Sequence, residues 1–94
     1  MPNKKKVVSN EVIGYFIMDR EDNYFPLNDY ELFNESQVKE LIKKDFFDSE
    51  LNKEEYSVYD RFLIYAIFDT GMIKDISDEI TLQAKDIDIV LPNL

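Results

Sequence analysis

The chain has 94 residues, of which 20 are acidic and 11 are basic, and its formal net charge is −9. Three of the basic residues form one run near the start, Lys4 to Lys6, so the sequence from Val7 onward carries 8 − 20 = −12. This charge opposes the phosphate neutralisation on which ordinary binding to DNA or RNA depends. The chain contains no His and no Cys, which excludes disulfides, Cys or His nucleophiles, and thiolate or imidazole metal sites.

Length and composition predict one globular domain. The chain is 45% hydrophobic and 14% aromatic, which is too apolar for a disordered protein, and it is too short for a second core. We expect residues 1–9 to form a flexible basic tail and residues 10–94 to form a single acidic domain. No secretory leader is expected, and the longest apolar run, Phe62–Phe68, is too short to cross a membrane, so we expect a cytoplasmic protein.

The first predicted elements form a hairpin. Alternating hydrophobicity over residues 11–19 indicates a strand with both faces at least partly covered. One face holds Ile13, Tyr15 and Ile17, and the other holds Val12, Phe16 and Met18. A polar turn at residues 20–23 leads into the returning segment 24–27. Because Pro26 has no N–H to donate, the returning strand is expected to be short or to lie at an edge.

The next element is a helix. Asn34 is a favourable N-cap, and Gln37 lies three residues later, where a capping box places its Glu or Gln. Apolar residues then recur with the helical period up to a predicted end near Phe47; they are Val38, Leu41, Ile42 and Phe46.

Residues 56–69 fit two patterns. Alternation places on one strand face Tyr56, Val58, Phe62, Ile64, Ala66 and Phe68. A helix would instead align Tyr59, Phe62, Leu63, Ala66 and Ile67, with Gly71 as its C-terminal cap. The many β-branched and aromatic side chains favour the strand.

The C-terminal third continues with strands. Thr70 and Gly71 are expected to form a hairpin turn into a strand over 72–76. Residues 79–91 alternate in two different phases, which requires a bulge or break near residues 84–86. The element order is therefore ββαββ(β). This order predicts an α+β fold, in which a small antiparallel sheet of four to five strands packs on one face against a single helix.

Sequence motifs for catalysis are weak, and we expect neither an enzyme nor a cofactor. Ser36 and Lys39 match a Ser-x-x-Lys spacing, but the companion motifs of that nucleophile are absent. Asp86 and Asp88 would share a strand face and fit the solvent side of that strand better than a cation site. No metal site is predicted.

The acidic residues suggest a binding surface instead. They cluster in predicted turns and at strand ends, where arrayed carboxylates could imitate the phosphates of a duplex and occupy the basic groove of a nucleic-acid-handling protein. Tyr30 and Tyr56 are flanked by acids and are expected to be exposed anchors. The predicted partner-binding residues are Asp19, Glu21, Asp22, Asp29, Tyr30, Glu31, Glu54, Glu55, Tyr56 and Asp60.

This pattern supports a non-catalytic inhibitor, of the kind that phages and mobile elements encode against host defence, with a basic protein as its partner. Two alternatives remain open at this point. One is a protein-interaction or immunity-like module that neutralises a basic toxin. The other is a homo-oligomer that uses the apolar segment 62–68 as a dimer surface and whose acidity serves only solubility.

Overall fold

A computed structural model describes residues 11–29, 31–48, 56–83 and 88–94. Its main sheet is antiparallel, with strand order β2-β1-β3-β4. The strands are β1 Val12–Asp19, β2 Phe25–Pro26, β3 Phe62–Phe68 and β4 Ile73–Asp75. The helices are α1 Glu35–Asp48 and the four-residue α2 Val58–Arg61, and a second sheet pairs β5 Thr81–Gln83 with β6 Asp88–Val90. The predicted α+β class is confirmed, with a separate small sheet at the C-terminal end.

The structure confirms a strand within the ambiguous segment 56–69, but only from Phe62 onward. The residues just before it form α2, whose N-cap Ser57 accepts a hydrogen bond from the backbone N–H of Asp60. All six residues that alternation assigned to one face are nonetheless buried, because the short helix turns Tyr56 and Val58 toward the same core that β3 covers.

The prediction that Ile13 shares a strand face with Tyr15 and Ile17 is wrong. Its side chain is 60% exposed, whereas Tyr15 and Ile17 are buried. The cause is an irregularity in the pairing of β1 with β3: Val12 pairs with Phe68 and Gly14 with Ile67, which leaves Ile13 as an extra residue. Such a bulge shifts the alternation by one position, so Ile13 falls out of phase with the core residues that follow it.

The capping box of α1 is confirmed in both directions. The Asn34 side chain accepts from the Gln37 N–H at 2.8 Å, and the Gln37 side chain accepts from the Asn34 N–H at 2.8 Å. The helix buries Val38, Ile42 and Phe46 against the core face of the sheet. This buried cluster also includes Ile76, Ile80 and Ile89, which join the helix in covering that face.

The C-terminal hairpin explains the two phases of alternation. Leu82 of β5 pairs with Ile89 of β6, so the chain reverses direction between the two apolar sets. Ile80, which directly precedes β5, and Ile89 of β6 are both buried, because the two apolar sets belong to two antiparallel segments rather than to one bulged strand. The predicted break near residues 84–86 lies outside the described residues.

The middle of the sheet is a pair of fully buried isoleucines, Ile17 and Ile64, which are register partners. Their backbone groups point away from each other, toward β2 and β4. Ile17 O accepts from Leu27 N and Ile64 O accepts from Ile76 N, each at 2.9 Å. The two N–H groups donate to side chains: Ile17 N to Asn28 Oδ1 and Ile64 N to Ser77 Oγ, each at 2.8 Å. The side chains of Asn28 and Ser77 therefore continue the hydrogen bonding along the edges of β1 and β3 beyond the points where β2 and β4 end.

Gly14 is required by a close approach to Leu32. A Cβ atom at position 14 would lie 2.5 Å from the Leu32 Cβ, which neither residue can relieve by a rotamer change. We expect Gly14→Ala to lower the free energy of unfolding by about 1–3 kcal/mol, measured by urea denaturation. The double variant with Leu32→Gly removes the opposing Cβ and should recover part of the loss; equal stability of the double and single variants would contradict this cause.

Candidate functional site

Several segments meet at the end of the sheet where β1 ends and β3 begins. Asp19 pairs with Phe62 across these strands and with Phe25 of β2. A 3₁₀ turn, Arg20–Asp22, follows β1 and contacts both β3 and α2. The last turn of α1 reaches the same place through contacts of its Asp45. We call this surface the acidic end and define it as residues 19–25, 45–48 and 58–61.

Arg61 holds these segments together. Its guanidinium bonds both carboxylate oxygens of Asp45, with Nε to Oδ2 at 2.8 Å and Nη2 to Oδ1 at 2.6 Å. On its other side it forms an ion pair with Glu21 of the 3₁₀ turn. The Tyr56 hydroxyl donates to Asp45 Oδ2 at 2.7 Å. One arginine thus ties α2 to the end of α1 and to the turn after β1.

Within this network, the surroundings of Asp45 and of Arg61 favour the charged form of each side chain. Burial alone would raise the pKa of Asp45, but hydrogen bonds from Arg61 and Tyr56 outweigh it and hold that pKa below its usual value. Burial and then the hydrogen bond to Asp45 raise the pKa of the Tyr56 phenol. The hydrogen bonds to Asp45 and Glu21 raise the pKa of Arg61 further. Asp45 and Arg61 therefore stay ionised, and the Tyr56 phenol stays protonated, across the physiological pH range.

Arg20, the second arginine of the acidic end, is also engaged within the protein. Its Nε donates to the Phe62 carbonyl oxygen at 3.1 Å. Its guanidinium carbon lies 4.5 Å from the centre of the Tyr59 ring and 6.0 Å from that of Tyr24, which is within range for cation–π attraction. Both arginines consequently stabilise the fold locally, so they are poorly available to a partner.

The acidic end carries a net negative charge of 2 − 6 = −4. Its two arginines are opposed by Asp19, Glu21, Asp22, Asp45, Asp48 and Asp60. Within the described part of the chain, the ion pairs do not include Asp19, Asp22, Asp48 or Asp60. The last turn of α1 contains no basic residue, so the negative end of the helix dipole adds to the same potential.

Exposed aromatic side chains occur in the same segments, and two of them, Tyr24 and Tyr59, flank the Arg20 guanidinium. Of the aromatic residues that the structure describes, those classed as exposed are Tyr24 at 51%, Phe25 at 61%, Phe47 at 53% and Tyr59 at 47%. All four belong to the acidic end. Aromatic residues are over-represented among the residues that dominate binding energy at protein interfaces, so this surface combines carboxylates with anchor residues typical of an interface.

The structure brings together four of the ten predicted partner-binding residues: Asp19, Glu21, Asp22 and Asp60. Asp29 and Glu31 lie elsewhere, beside Gln37 at the start of α1. Because α1 has 14 residues, its start is about 20 Å from the end that contributes to the acidic end. The predicted exposure of Tyr56 is wrong. It is only 8% exposed, because its ring packs edge-on against Phe46 at 5.2 Å and its hydroxyl binds Asp45. Tyr30, Glu54 and Glu55 lie outside the described residues.

Sequence reasoning missed several members of this surface that contribute charge or exposed rings: Arg20, Tyr24, Phe25, Asp45, Phe47, Asp48, Tyr59 and Arg61. One signal was available in the acidic residues at the C-terminal end of α1, Asp45 and Asp48, because this end of a helix disfavours negative charge. The link from Asp45 to Arg61 spans 16 residues and has no periodic signature.

Comparisons with protein families, with curated proteins and with solved structures find no match to this chain. No helix in the described ranges has the length and hydrophobicity to cross a membrane. Nor do the acidic side chains that the structure describes form any group of three or more suited to holding a metal ion.

Proposed function

We propose that the acidic end binds a protein with a basic surface, and that this surface normally holds nucleic acid, so that the chain acts as a non-catalytic inhibitor. One observation carries the proposal: unpaired carboxylates and exposed aromatic rings share a single surface whose two arginines are both engaged internally. Without free cations, the surface presents only negative charge and apolar anchors.

The charge supports a basic partner. Carboxylates at exposed positions raise the rate of encounter with a positively charged surface and lower it for an acidic one. A surface ion pair contributes only about 0–1 kcal/mol. The exposed rings would add apolar contacts that exclude water from the interface. Phe25 and Phe47 have no polar tip, so their exposure in a free monomer is unfavourable and is relieved by a protein partner.

Carboxylates and aromatic rings together fit one kind of basic surface, a surface that binds nucleic acid, and this favours a nucleic-acid-handling partner. Proteins that hold single strands combine a positive groove with aromatic stacking platforms, and those that hold duplexes contact phosphates with Lys and Arg. Carboxylates can replace phosphates at such contacts, and exposed rings can replace bases. The chain would then compete with the nucleic acid for its site.

The experiment is capture of identified partners from a lysate on the immobilised protein, followed by competition with labelled DNA or RNA for each purified partner. The proposal requires a captured protein that elutes at raised salt and loses its nucleic acid as the chain is added. Capture of a basic toxin with no nucleic-acid site would instead favour the immunity-like alternative.

We expect the triple variant Asp22→Asn, Asp48→Asn, Asp60→Asn to bind such a partner about tenfold more weakly, because three exposed charges at a few tenths of a kcal/mol or more sum to about 1.4 kcal/mol. The matched control removes three exposed acids away from the acidic end, with Asp29→Asn, Glu40→Gln and Asp88→Asn. Equal affinities for the two triple variants, by isothermal titration, would show that total charge rather than this surface drives binding.

A further inference from the structure

The face of the main sheet that points away from α1 is almost entirely apolar. Paired residues share a face, so the register gives its composition in three rows across the strands. The rows are Pro26, Met18 and Leu63; then Phe16, Tyr65 and Asp75; then Gly14, Ile67 and Ile73. We call these residues the outer face.

The outer face differs from the core face in what covers it. Helix α1 and the β5–β6 hairpin bury the opposite residues of the same strands, such as Ile17 and Ile64. On the outer face Phe16, Met18, Leu63, Tyr65 and Ile67 are only half-buried, and Ile73 is 61% exposed, while Gly14 is buried beneath Leu32. Within the described ranges, the buried cluster takes no member from this face.

The outer face is also nearly without charge in a chain of net charge −9. Its one charged residue is Asp75, at the edge strand. The Asp75 carboxylate already accepts hydrogen bonds from Ser77, from N at 2.9 Å and from Oγ at 2.6 Å. A basic partner that docked here would bury Lys or Arg side chains against apolar groups with no opposing carboxylate, which is unfavourable.

We propose that the outer face associates with the outer face of a second copy of the chain, forming a symmetric homodimer. A second copy presents the same apolar surface, whose single charged residue, Asp75, is already bonded to Ser77, and requires no cation to be buried. Two twisted sheets packed face to face align their strands within about 30° of each other, and a two-fold axis near Phe16 and Tyr65 would place the two aromatic pairs at the centre of the interface. The acidic ends remain at the perimeter.

The area of the face makes this dimer weak. Four strands spaced about 4.8 Å apart and five residues of about 3.4 Å each cover about 300 Å² per copy. The total for two copies is about 600 Å², below the roughly 1,200 Å² of a stable interface. We therefore expect a dissociation constant on the order of 100 μM to 1 mM.

Salt distinguishes this association from binding at the acidic end. Two copies of a chain at −9 repel each other, and salt screens this repulsion, since the Debye length falls from about 10 Å at 0.1 M to about 3 Å at 1 M. Raising salt should thus strengthen the homodimer, whereas it should weaken binding of a basic partner.

The test is sedimentation of the full chain between 20 μM and 1 mM, at 0.05 M and at 0.5 M salt. The mean mass is expected to rise above the 11.2 kDa of the monomer at the highest concentrations, and to rise further at 0.5 M salt. Ile73→Lys should weaken the dimer at least tenfold, because two-fold symmetry places the substitution in the interface twice. Its side chain is mostly exposed, so thermal unfolding should show a folded variant.

The matched control is Phe47→Lys, which changes an apolar residue of comparable exposure, 53%, by the same charge on the helix that packs against the core face. Its dimer should be as strong as that of the wild type. A strictly monomeric protein at 1 mM and 0.5 M salt overturns the proposal, as does equal dimerisation of the two variants. Partner capture at the acidic end is a separate readout that Ile73→Lys should leave unchanged.

Discussion

Replacing Asn28 by alanine is expected to lower the free energy of unfolding by about 2–4 kcal/mol, because the Ile17 N–H loses its acceptor and two carbonyl oxygens each lose a donor; of these, Tyr15 O keeps its hydrogen bond from Phe33 N. The Asn28 side chain accepts from Ile17 N at 2.8 Å and donates to Tyr15 O at 3.1 Å and Glu31 O at 2.9 Å. It occupies the place of a β2 residue on the open edge of β1. Without it, the part-buried Ile17 N–H loses the acceptor that the structure gives it.

Ser77→Ala is the corresponding change on the other edge and should cost about 1–3 kcal/mol. Ser77 is 1% exposed, and its hydroxyl is the acceptor for the buried Ile64 N–H. The two sites lie on opposite sides of the β1–β3 pair, about 14 Å apart at the strand spacing, so their effects should add. A domain of this size has about 5–14 kcal/mol of stability in total, and the double variant would lose a large part of it.

Urea unfolding at 25 °C measures both effects. The exposed Ser36 in the first turn of α1 provides a control of the same chemistry, and Ser36→Ala should change stability by less than about 0.5 kcal/mol. The interpretation fails if Asn28→Ala is as mild as the control, since water would then be satisfying the Ile17 N–H at the sheet edge.

These two side chains mark a limit of sequence-based prediction. Alternation identified the core residues of β3, and the Asn34–Gln37 capping box located the start of α1, because both are local patterns with a fixed period or spacing. The side chains of Asn28 and Ser77 make the hydrogen bonds that the backbone of a neighbouring strand would otherwise make. No periodic pattern distinguishes these two residues from ordinary loop residues. The bulge at Ile13 did have a local signal, because Gly14 follows it and an isolated glycine within a strand pattern often marks a bulge.

The candidate site was predictable only in part. Acidic residues in turns are visible in any sequence, and Asp19, Glu21, Asp22 and Asp60 were selected on that basis. Their association depends on how β1, α1 and β3 are arranged in space. Tyr56 was wrongly included in the predicted surface. The flanking acidic residues suggested that its side chain is exposed, but packing against Phe46 buries it.

The preorganisation of the acidic end depends on Asp45 and Arg61. Without the Arg61 bridge, α2 is a single helical turn whose own hydrogen bonds are too few to hold it. Its attachment to α1 and to the 3₁₀ turn keeps Tyr59 and Asp60 in one place relative to Asp22 and Asp48. A rigid surface binds more tightly than one that must be ordered on association, so the network links the stability of the fold to the proposed function.

Asp45→Ala is expected to lower the free energy of unfolding by about 2–3 kcal/mol, since it removes the bidentate partner of the mostly buried Arg61 and leaves that guanidinium with only the exposed Glu21. The Asp45 and Arg61 side chains are 17% and 21% exposed. Glu21 binds the same guanidinium from a side chain that is 59% exposed, and Glu21→Ala should therefore cost only about 0–1 kcal/mol. Comparable losses for the two variants would mean that burial does not set the strength of this network.

The pH dependence provides a second and independent check on Asp45. Because the pKa of Asp45 is lower in the folded protein than its ordinary value of 3.8, the ionised carboxylate favours folding, and its contribution is fully present above that value. It is lost as the pH falls through the lower, folded pKa. The difference in unfolding free energy between the wild type and Asp45→Asn, which cannot ionise, should be constant from pH 7 to pH 5 and shrink below pH 4. Taking the difference between these two proteins removes the contributions of the other carboxylates, which titrate in both. A difference that stayed constant down to pH 2 would show that Asp45 acts through its shape and hydrogen bonds and not through its charge.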